Sequence, residues 1–344
     1  MGSRMGGGPV DREQWRQVVE AATRAPSIHN TQPWSFTVAG NRLDVRADPA
    51  RALPALDRSG RQRIISCGVA VEFALIALRA AGAEVAVELL PEPADPELLA
   101  SLTLTGSREV AESDRALGAA IASRHTERAP FQPQAVPAEV VDGLQRAVAA
   151  FSVWLKPITE TDEEVATAFL LSRAEEIEQS EPEYVAELQH WMRTDPAAVD
   201  GIPVGAVLEE DPATRPSNWL IRDFVVGSRP GDRSPFHSPE DPDAPPPPVE
   251  RPAVVLLGTD NDDAMAWLTA GRGLGQVLLR VTVAGLAASP LTQALDWPAT
   301  RAQLGTRLSL IGHPQMLLRL GYPGGDRSPS TNRRPLADVL TFAE

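Results

Sequence analysis

The sequence is poor in cysteine and lysine, and these scarcities limit the covalent cross-links and the cationic binding sites that it can form. Cys67 is the only cysteine among 344 residues, so no intrachain disulfide can form, and a reducing cytoplasm is the expected compartment. Lys156 is the only lysine, which leaves arginine to supply the fixed cations of any phosphate-binding site. The formal net charge of −14 argues against a nucleic-acid partner, because phosphates would be repelled over much of the surface.

Long uninterrupted apolar runs are also missing. The most apolar stretch, residues 64–81, is interrupted by Ser66, Glu72 and Arg79, which predicts a buried helix and no membrane-spanning segment. The five histidines lack the spacing of metal ligands, so we expect no metal site. Residues 1–10 lack an apolar core and are expected to form a disordered leader.

The most informative segment present is Ala-Pro-Ser-Ile-His-Asn-Thr-Gln-Pro-Trp at residues 25–34, here named the 25–34 loop. Pro26 and Pro33 each fix φ and bias the preceding residue towards extended geometry, so the loop is preset. Between them lies a row of hydrogen-bonding side chains that suits a flat ligand with polar edges. The alternative is a helix end, a polar turn and an edge strand with no ligand.

Three matched segments occur in the same order in the first and last parts of the chain. The helix predicted from Gly68 to Gly82 shares its glycine spacing with the one from Gly271 to Gly285. The predicted helices at 12–24 and 138–150 also correspond, as do the glycine-ended strands at 102–106 and 317–321. The series predicts an internal duplication, with a first half at residues 11–112 and a second half at 113–344.

A second segment with binding chemistry opens the second half. Arg124, Thr126 and Arg128 alternate, so an extended backbone would place them on one side. Guanidinium and hydroxyl groups are the donors that hold a phosphate by charge-assisted hydrogen bonds. The alternative is a solvated run of surface charge.

Together these motifs resemble the nitroreductase family, whose members hold FMN. The pattern Ala-Pro-Ser-x-x-Asn-x-Gln-Pro-Trp resembles the family's flavin-contacting loop, and the Arg-x-Thr-x-Arg segment is similar to its phosphate-binding opening. The resemblance implies an α+β, nitroreductase-like fold. Its duplication would let one chain mimic the two-subunit interface at which the family binds FMN, as in the two-repeat Acg-like branch.

The resemblance also assigns roles to residues. It implies that Ser27, Asn30, Gln32 and Trp34 contact the flavin ring. For His29 two roles are open: a contact to the ring edge or the substrate, or a cap of the local turn. The phosphate falls to Arg124, Thr126 and Arg128, joined by Arg333 or Arg334 near the C-terminus. The loop that faces the reactive edge of the flavin corresponds to Ser289, Pro290 and Leu291, although it departs from the family's commoner Pro-x-Glu-Gly form. The proline-rich insertion at about 195–251 is interpreted as a lid.

The function implied by the resemblance is FMN-dependent oxidoreduction. NAD(P)H would be the electron donor, and a nitroaromatic or quinone-like small molecule would be the acceptor. In a ping-pong scheme NAD(P)H would reduce the flavin and leave before the acceptor binds. Two alternatives remain: a flavin-sequestering, stress-associated protein whose lid blocks nicotinamide, and a dedicated biosynthetic flavin dehydrogenase. With a duplicated chain a monomer suffices for one site, and a homodimer is possible.

Overall fold

A computed structural model describes residues 11–204, 217, 219, 249–324 and 331–343. The predicted leader at residues 1–10 and most of the predicted lid at 195–251 lie outside this part of the chain. None of the described helices is long and apolar enough to cross a membrane.

The first part of the chain forms an antiparallel sheet with helices packed against it. Its elements are α1 (Arg12–Thr23), β1 (Trp34–Ala39), β2 (Arg42–Ala47), α2 (Arg61–Ala80), β3 (Ala83–Leu89) and β4 (Leu98–Ser107). The strands lie side by side in the order β1, β2, β4, β3. Asp11 caps the N-terminus of α1: its carboxylate accepts the Gln14 N–H, while the Gln14 side chain accepts the Asp11 N–H.

The second part repeats this arrangement with additional helices. Its elements are α3 (Glu112–Ser123), α4 (Ala138–Ala149), β5 (Val153–Ile158), α5 (Thr161–Ser180), α6 (Pro182–Trp191), β6 (Met192–Arg193), β7 (Ile202–Pro203), β8 (Ala253–Thr259), α7 (Ala264–Val283), β9 (Ala287–Pro290), α8 (Gln293–Asp296), α9 (Pro298–Arg307), β10 (His313–Gly321) and β11 (Leu340–Phe342). The second sheet is antiparallel, in the order β5, β8, β10, β9. The predicted α+β class is confirmed.

The two sheets share one topology. In each, the fourth strand in chain order lies between the second and the third, and the long helix α2 or α7 joins the second strand to the third. Each long helix is also followed, two residues after its end, by a glycine in the left-handed region: Gly82 with φ +91° and Gly285 with φ +74°. These likenesses support the predicted duplication, which remains a prediction.

The two parts meet where α2 crosses α7, and the contacts there are reciprocal. A Cβ added to Gly68 would lie 2.9 Å from the Gly271 Cα and closer still to the Leu268 carbonyl oxygen. A Cβ added to Gly271 would lie 2.8 Å from the Gly68 Cα and closer still to the Ile65 carbonyl oxygen. Matched positions therefore exchange matched contacts, as in a two-fold interface between identical subunits.

The C-terminal strand crosses from one sheet to the other. β11 pairs in parallel with β1, in a register that puts Leu340 beside Phe36. The predicted boundary assigned all residues from 113 to 344 to the second half, whereas β11 completes the first sheet. The physical reason is that the outer edge of β1 would otherwise expose unpaired backbone groups.

Candidate functional site

A cavity of about 440 Å³ lies between the two parts of the chain. The predicted site residues that line it are Ser27, His29, Asn30, Arg124, Thr126, Arg128, Ser289, Pro290 and Arg333. The 25–34 loop therefore faces residues that lie about a hundred or more positions further along the chain, as a single composite site requires. α2 and α7 supply an apolar wall through Ile65, Val69, Leu274 and Leu278.

The 25–34 loop is held in an unusual backbone conformation. His29, Asn30 and Gln32 have φ values of +45°, +53° and +50°, a region that residues other than glycine rarely adopt. The positive φ of Gln32 departs from the extended geometry expected of the residue before Pro33. Ser27 Oγ accepts the Gln32 N–H at 2.9 Å, and Ser66 Oγ on α2 accepts the Ile28 N–H at 3.1 Å. Such strain persists only where surrounding contacts impose it, and it often marks a binding site.

A guanidinium cluster forms one end of the cavity. Arg124 follows α3, and its Nε and Nη1 atoms are buried without a hydrogen-bond partner among the described residues. Burial, together with the neighbouring charges of Arg333 and Arg24, lowers the pKa of Arg124 to about 9. Burial and Arg24 likewise lower the pKa of Arg333 to about 10. Like charges held together in this way indicate a site for an anion.

The last carbonyl groups of α1 position this cluster. Arg333 Nε donates to the Thr23 carbonyl at 2.7 Å, and its Nη2 donates to the carbonyls of Arg24 and Ala25, each at 3.3 Å. Arg124 Nη2 donates to the same Arg24 carbonyl at 3.3 Å. These oxygens have no partner within the helix and carry its negative dipole end, so they attract cations.

The segment containing Thr126 docks on the edge of the second sheet. Thr126 bridges Ala288 of β9, and the Glu127 N–H donates to the Ala288 carbonyl at 3.0 Å. Arg124, Thr126 and Arg128 all line the cavity, but His125 between the first two lines it as well, and only Glu127 is fully buried. The expected alternation is therefore incomplete, and the segment is anchored on the edge strand β9.

Asn30 faces the cavity, yet its amide is engaged by the protein. Its Nδ2 donates to the Gly201 carbonyl at 3.1 Å and to the Asn332 carbonyl at 3.3 Å. Its Oδ1 accepts from Arg333 Nη1 at 3.2 Å. The side chain thus joins the 25–34 loop to the start of the insertion and to the C-terminal segment.

Comparison with known proteins gives matches in sequence over nearly the whole chain. Residues 7–59 fit the model of the nitroreductase family. The Mycobacterium tuberculosis H37Rv protein named "Putative NAD(P)H nitroreductase Rv3131" is 32% identical over 342 residues, covering 97% of this chain and 93% of the relative. "Putative NAD(P)H nitroreductase acg" from the same organism is 31% identical over 328 residues, covering 94% of each chain.

The chain belongs to the nitroreductase family. The resemblance inferred from the two motifs is thus confirmed over nearly the whole length. A solved structure of the FMN-dependent nitroreductase NfnB from Mycobacterium smegmatis in complex with NADPH aligns with a TM-score of 0.40 at 15% identity, covering 68% of this chain and 100% of that chain.

Four of the residues assigned from the family pattern do not line the cavity. Gln32 is fully buried and donates through Nε2 to the Val199 carbonyl at 2.8 Å, while its Oε1 accepts the Arg334 N–H at 2.8 Å. Trp34 is a fully buried core residue at the start of β1. Arg334 turns to the carbonyls of Gln32 and Asp338. Of the pair Arg333 or Arg334, the structure brings only Arg333 to the cavity.

The fourth is Leu291, in the segment expected to face the reactive edge of a flavin. Its side chain is buried, and its N–H donates to the Leu317 carbonyl at 2.9 Å. Pro290 lines the cavity but has no N–H to donate. Neither Pro290 nor Leu291 can therefore present a backbone amide to a ligand, because Pro290 lacks the N–H and the Leu291 N–H is used by the Leu317 carbonyl. Ser289 lines the cavity, and its assignment stays a prediction.

Sequence reasoning missed several cavity residues. Arg24 is the most important, because its charge acts on both Arg124 and Arg333. It directly precedes the 25–34 loop, and a basic residue at a helix end is ordinarily interpreted as a cap. Gln62 and Ser66 also line the cavity, on the helix that the sequence identified only as buried.

Cys67 takes no part in the cavity lining. Its thiol is buried and donates to the Pro33 carbonyl at 3.1 Å, and burial raises its pKa well above the ordinary value. An inert core thiol is what its position inside an apolar helix predicts.

Proposed function

We propose that this chain binds FMN and acts as an NAD(P)H-dependent oxidoreductase on nitroaromatic or quinone-like acceptors. The observation that carries the proposal is the cavity in which the 25–34 loop faces the cluster of Arg24, Arg124 and Arg333. Membership of the nitroreductase family, and relatives named as NAD(P)H nitroreductases, support the same conclusion.

The cationic end of the cavity fits a phosphate monoester. Such a group is a dianion or nearly so, and guanidinium donors bind it through short, charge-assisted hydrogen bonds. The buried Nε and Nη1 of Arg124, which have no partner among the described residues, are donors of this kind. Thr126 would add a hydroxyl, and Arg128 a further guanidinium.

The remainder of the cavity fits a flat aromatic ring system. Its volume lies within the range of about 300 to 1,000 Å³ that is typical of cofactor sites. The apolar wall of Ile65, Val69, Leu274 and Leu278 would cover the ring, and the side chains of Ser27 and His29 would meet its polar edge. When bound, FMN would supply the redox chemistry, and these residues would bind and orient it.

A second candidate, flavin sequestration, is favoured by one observation. Ile202 lines the cavity, and the segment before it is tied to the 25–34 loop by hydrogen bonds from Gln32 to Val199 and from Asn30 to Gly201. A segment fastened in this way would leave less room for nicotinamide. In that case the protein would hold FMN without turning it over.

Spectroscopy under anaerobic conditions tests both candidates. The full-length protein, reconstituted with FMN, is mixed with NADH or NADPH, and the visible flavin absorbance is followed. Bleaching within seconds, and recovery on adding a quinone or nitroaromatic, supports the reductase. Persistent colour that dithionite removes supports sequestration or a dedicated dehydrogenase. Failure to retain any FMN refutes the proposal altogether.

A further inference from the structure

Arg24 occupies a position distinct from the other two arginines of the cluster. It is the C-cap residue of α1, it lines the cavity and its side chain is exposed to solvent, whereas Arg124 and Arg333 are only partly exposed. Ala122 and Ser123, at the end of α3, are also exposed and line the same cavity. Residues that line the cavity and are also exposed to solvent mark the place where the cavity opens. Arg24 therefore lies at this opening, here called the mouth.

The electrostatic setting of this mouth is unfavourable for an anion without Arg24. Both α1 and α3 end there, and the C-terminus of a helix carries a partial negative charge of about half an electron. The whole chain carries a formal net charge of −14, which repels an approaching phosphate at long range. An exposed guanidinium at the opening is the group that can reverse this field locally.

The charge of Arg24 is also available to a ligand. It lies close enough to Arg124 and Arg333 to lower the pKa of each, and no acidic side chain contributes to either shift. Among the described residues, no carboxylate forms a salt bridge with Arg24. A cation without a carboxylate partner beside two others is arranged to meet an incoming anion.

We infer that Arg24 is an electrostatic steering residue, which draws the phosphate of an incoming flavin into the mouth and passes it to the buried guanidinium of Arg124. The inference rests on the proposed binding of FMN. It separates two roles within the cluster: Arg24 governs the rate of association, and Arg124 governs the rate of release. Exposed charges at the rim of a site change association rates, whereas buried pairs change dissociation rates.

Stopped-flow binding of FMN to the flavin-free full-length protein tests this. In Arg24→Gln we expect association at low ionic strength to slow by roughly three- to tenfold, with the dissociation rate changed by less than about twofold. Arg24→Lys, which keeps the charge, should restore association. Near 1 M salt the Debye length is only about 3 Å, so wild type and Arg24→Gln should converge.

Two controls make the result specific. Arg16→Gln removes an equal charge from an exposed position on the same helix, and it should slow association much less. Riboflavin lacks the phosphate, so its binding should be the same in all variants. Equal effects of Arg16→Gln and Arg24→Gln, an equal loss with riboflavin, or a change confined to dissociation would each overturn the inference. Wild-type protein that binds neither flavin would instead refute the proposed function, and the steering role with it.

Discussion

Arg124 illustrates how binding and stability oppose one another at a single residue. Its guanidinium is buried beside two like charges, and its pKa falls from the ordinary arginine value to about 9. The folded protein therefore holds this proton less tightly than the unfolded chain does. By linkage, the charged group costs stability at neutral pH, and the cost is relieved as pH rises above about 9.

Replacing Arg124 by Gln tests this opposition. Hydrogen bonds to charged groups contribute about 1.5 to 3 kcal/mol, so FMN affinity should fall by roughly ten- to a hundredfold, while riboflavin affinity stays unchanged. The thermal midpoint of the flavin-free protein should equal or exceed that of wild type. Fluorescence titration and calorimetry give the two quantities. Arg115→Gln, on the exposed face of α3, is the matched control. A clearly lower midpoint in Arg124→Gln would show that the residue is structural.

At the scale of elements, the 25–34 loop is hydrogen-bonded to two segments distant in sequence, the insertion and the C-terminal segment. Gln32 binds the insertion through the Val199 carbonyl and the C-terminal segment through the Arg334 N–H. Asn332 Nδ2 donates to the carbonyls of Pro196 and Ala198, so the C-terminal segment and the insertion are also hydrogen-bonded to each other. Arg333 lies between Asn332 and Arg334, which make these hydrogen bonds. We infer that the bonds hold Arg333 at the cavity.

Gln32→Ala should therefore act on the cavity from outside it. The change leaves buried backbone groups without partners, which costs about 1 to 3 kcal/mol of folding free energy. The substitution should also lower the affinity for FMN more than the affinity for riboflavin, because Arg333 would no longer be held at the cavity. Equilibrium unfolding and titration with both flavins measure these effects, and Gln17→Ala, exposed on α1, serves for comparison. If FMN and riboflavin weaken to the same degree, Gln32 acts on the ring and not on Arg333.

The same scale shows where sequence reasoning succeeds and fails. The helices around Gly68 and Gly271 and the strands that contain Gly106 and Gly321 follow from local pattern and glycine spacing. The structure contains all four, although β4 continues one residue past Gly106 to Ser107. The direction of the Gln32 side chain and the pairing of β11 with β1 do not follow from local pattern. Both depend on contacts between segments far apart in the chain, which no local periodicity encodes.

At the scale of the whole molecule, the cavity depends on the close approach of α2 and α7. Gly68→Ala and Gly271→Ala should each destabilise the fold by about 1 to 3 kcal/mol or more, since the added methyl group meets backbone that cannot rotate away. The two substitutions occupy one contact, so their effects should not add. Flavin affinity should fall together with stability, because α2 and α7 form the apolar wall of the cavity and the added methyl group would push them apart.

Chemical denaturation of the single and double variants measures both effects. Gly305→Ala in α9 is the control, because nothing lies within 4 Å of the added atom and alanine favours a helix over glycine. That variant should be as stable as wild type or slightly more stable. Additive losses in the double variant would mean that Gly68 and Gly271 do not share one contact.

By itself, the sequence determined the chemistry that this chain brings together: a rigid polar loop, an arginine-rich segment, and helices whose glycine spacing allows close packing. These are local properties of residue type and order. Only the tertiary structure decided which of these groups face one cavity. It placed Arg24 and Arg333 there while burying Gln32, Trp34 and Leu291. The reason is that side-chain direction is set by which distant backbone groups need partners, and that competition is resolved only when the whole chain packs.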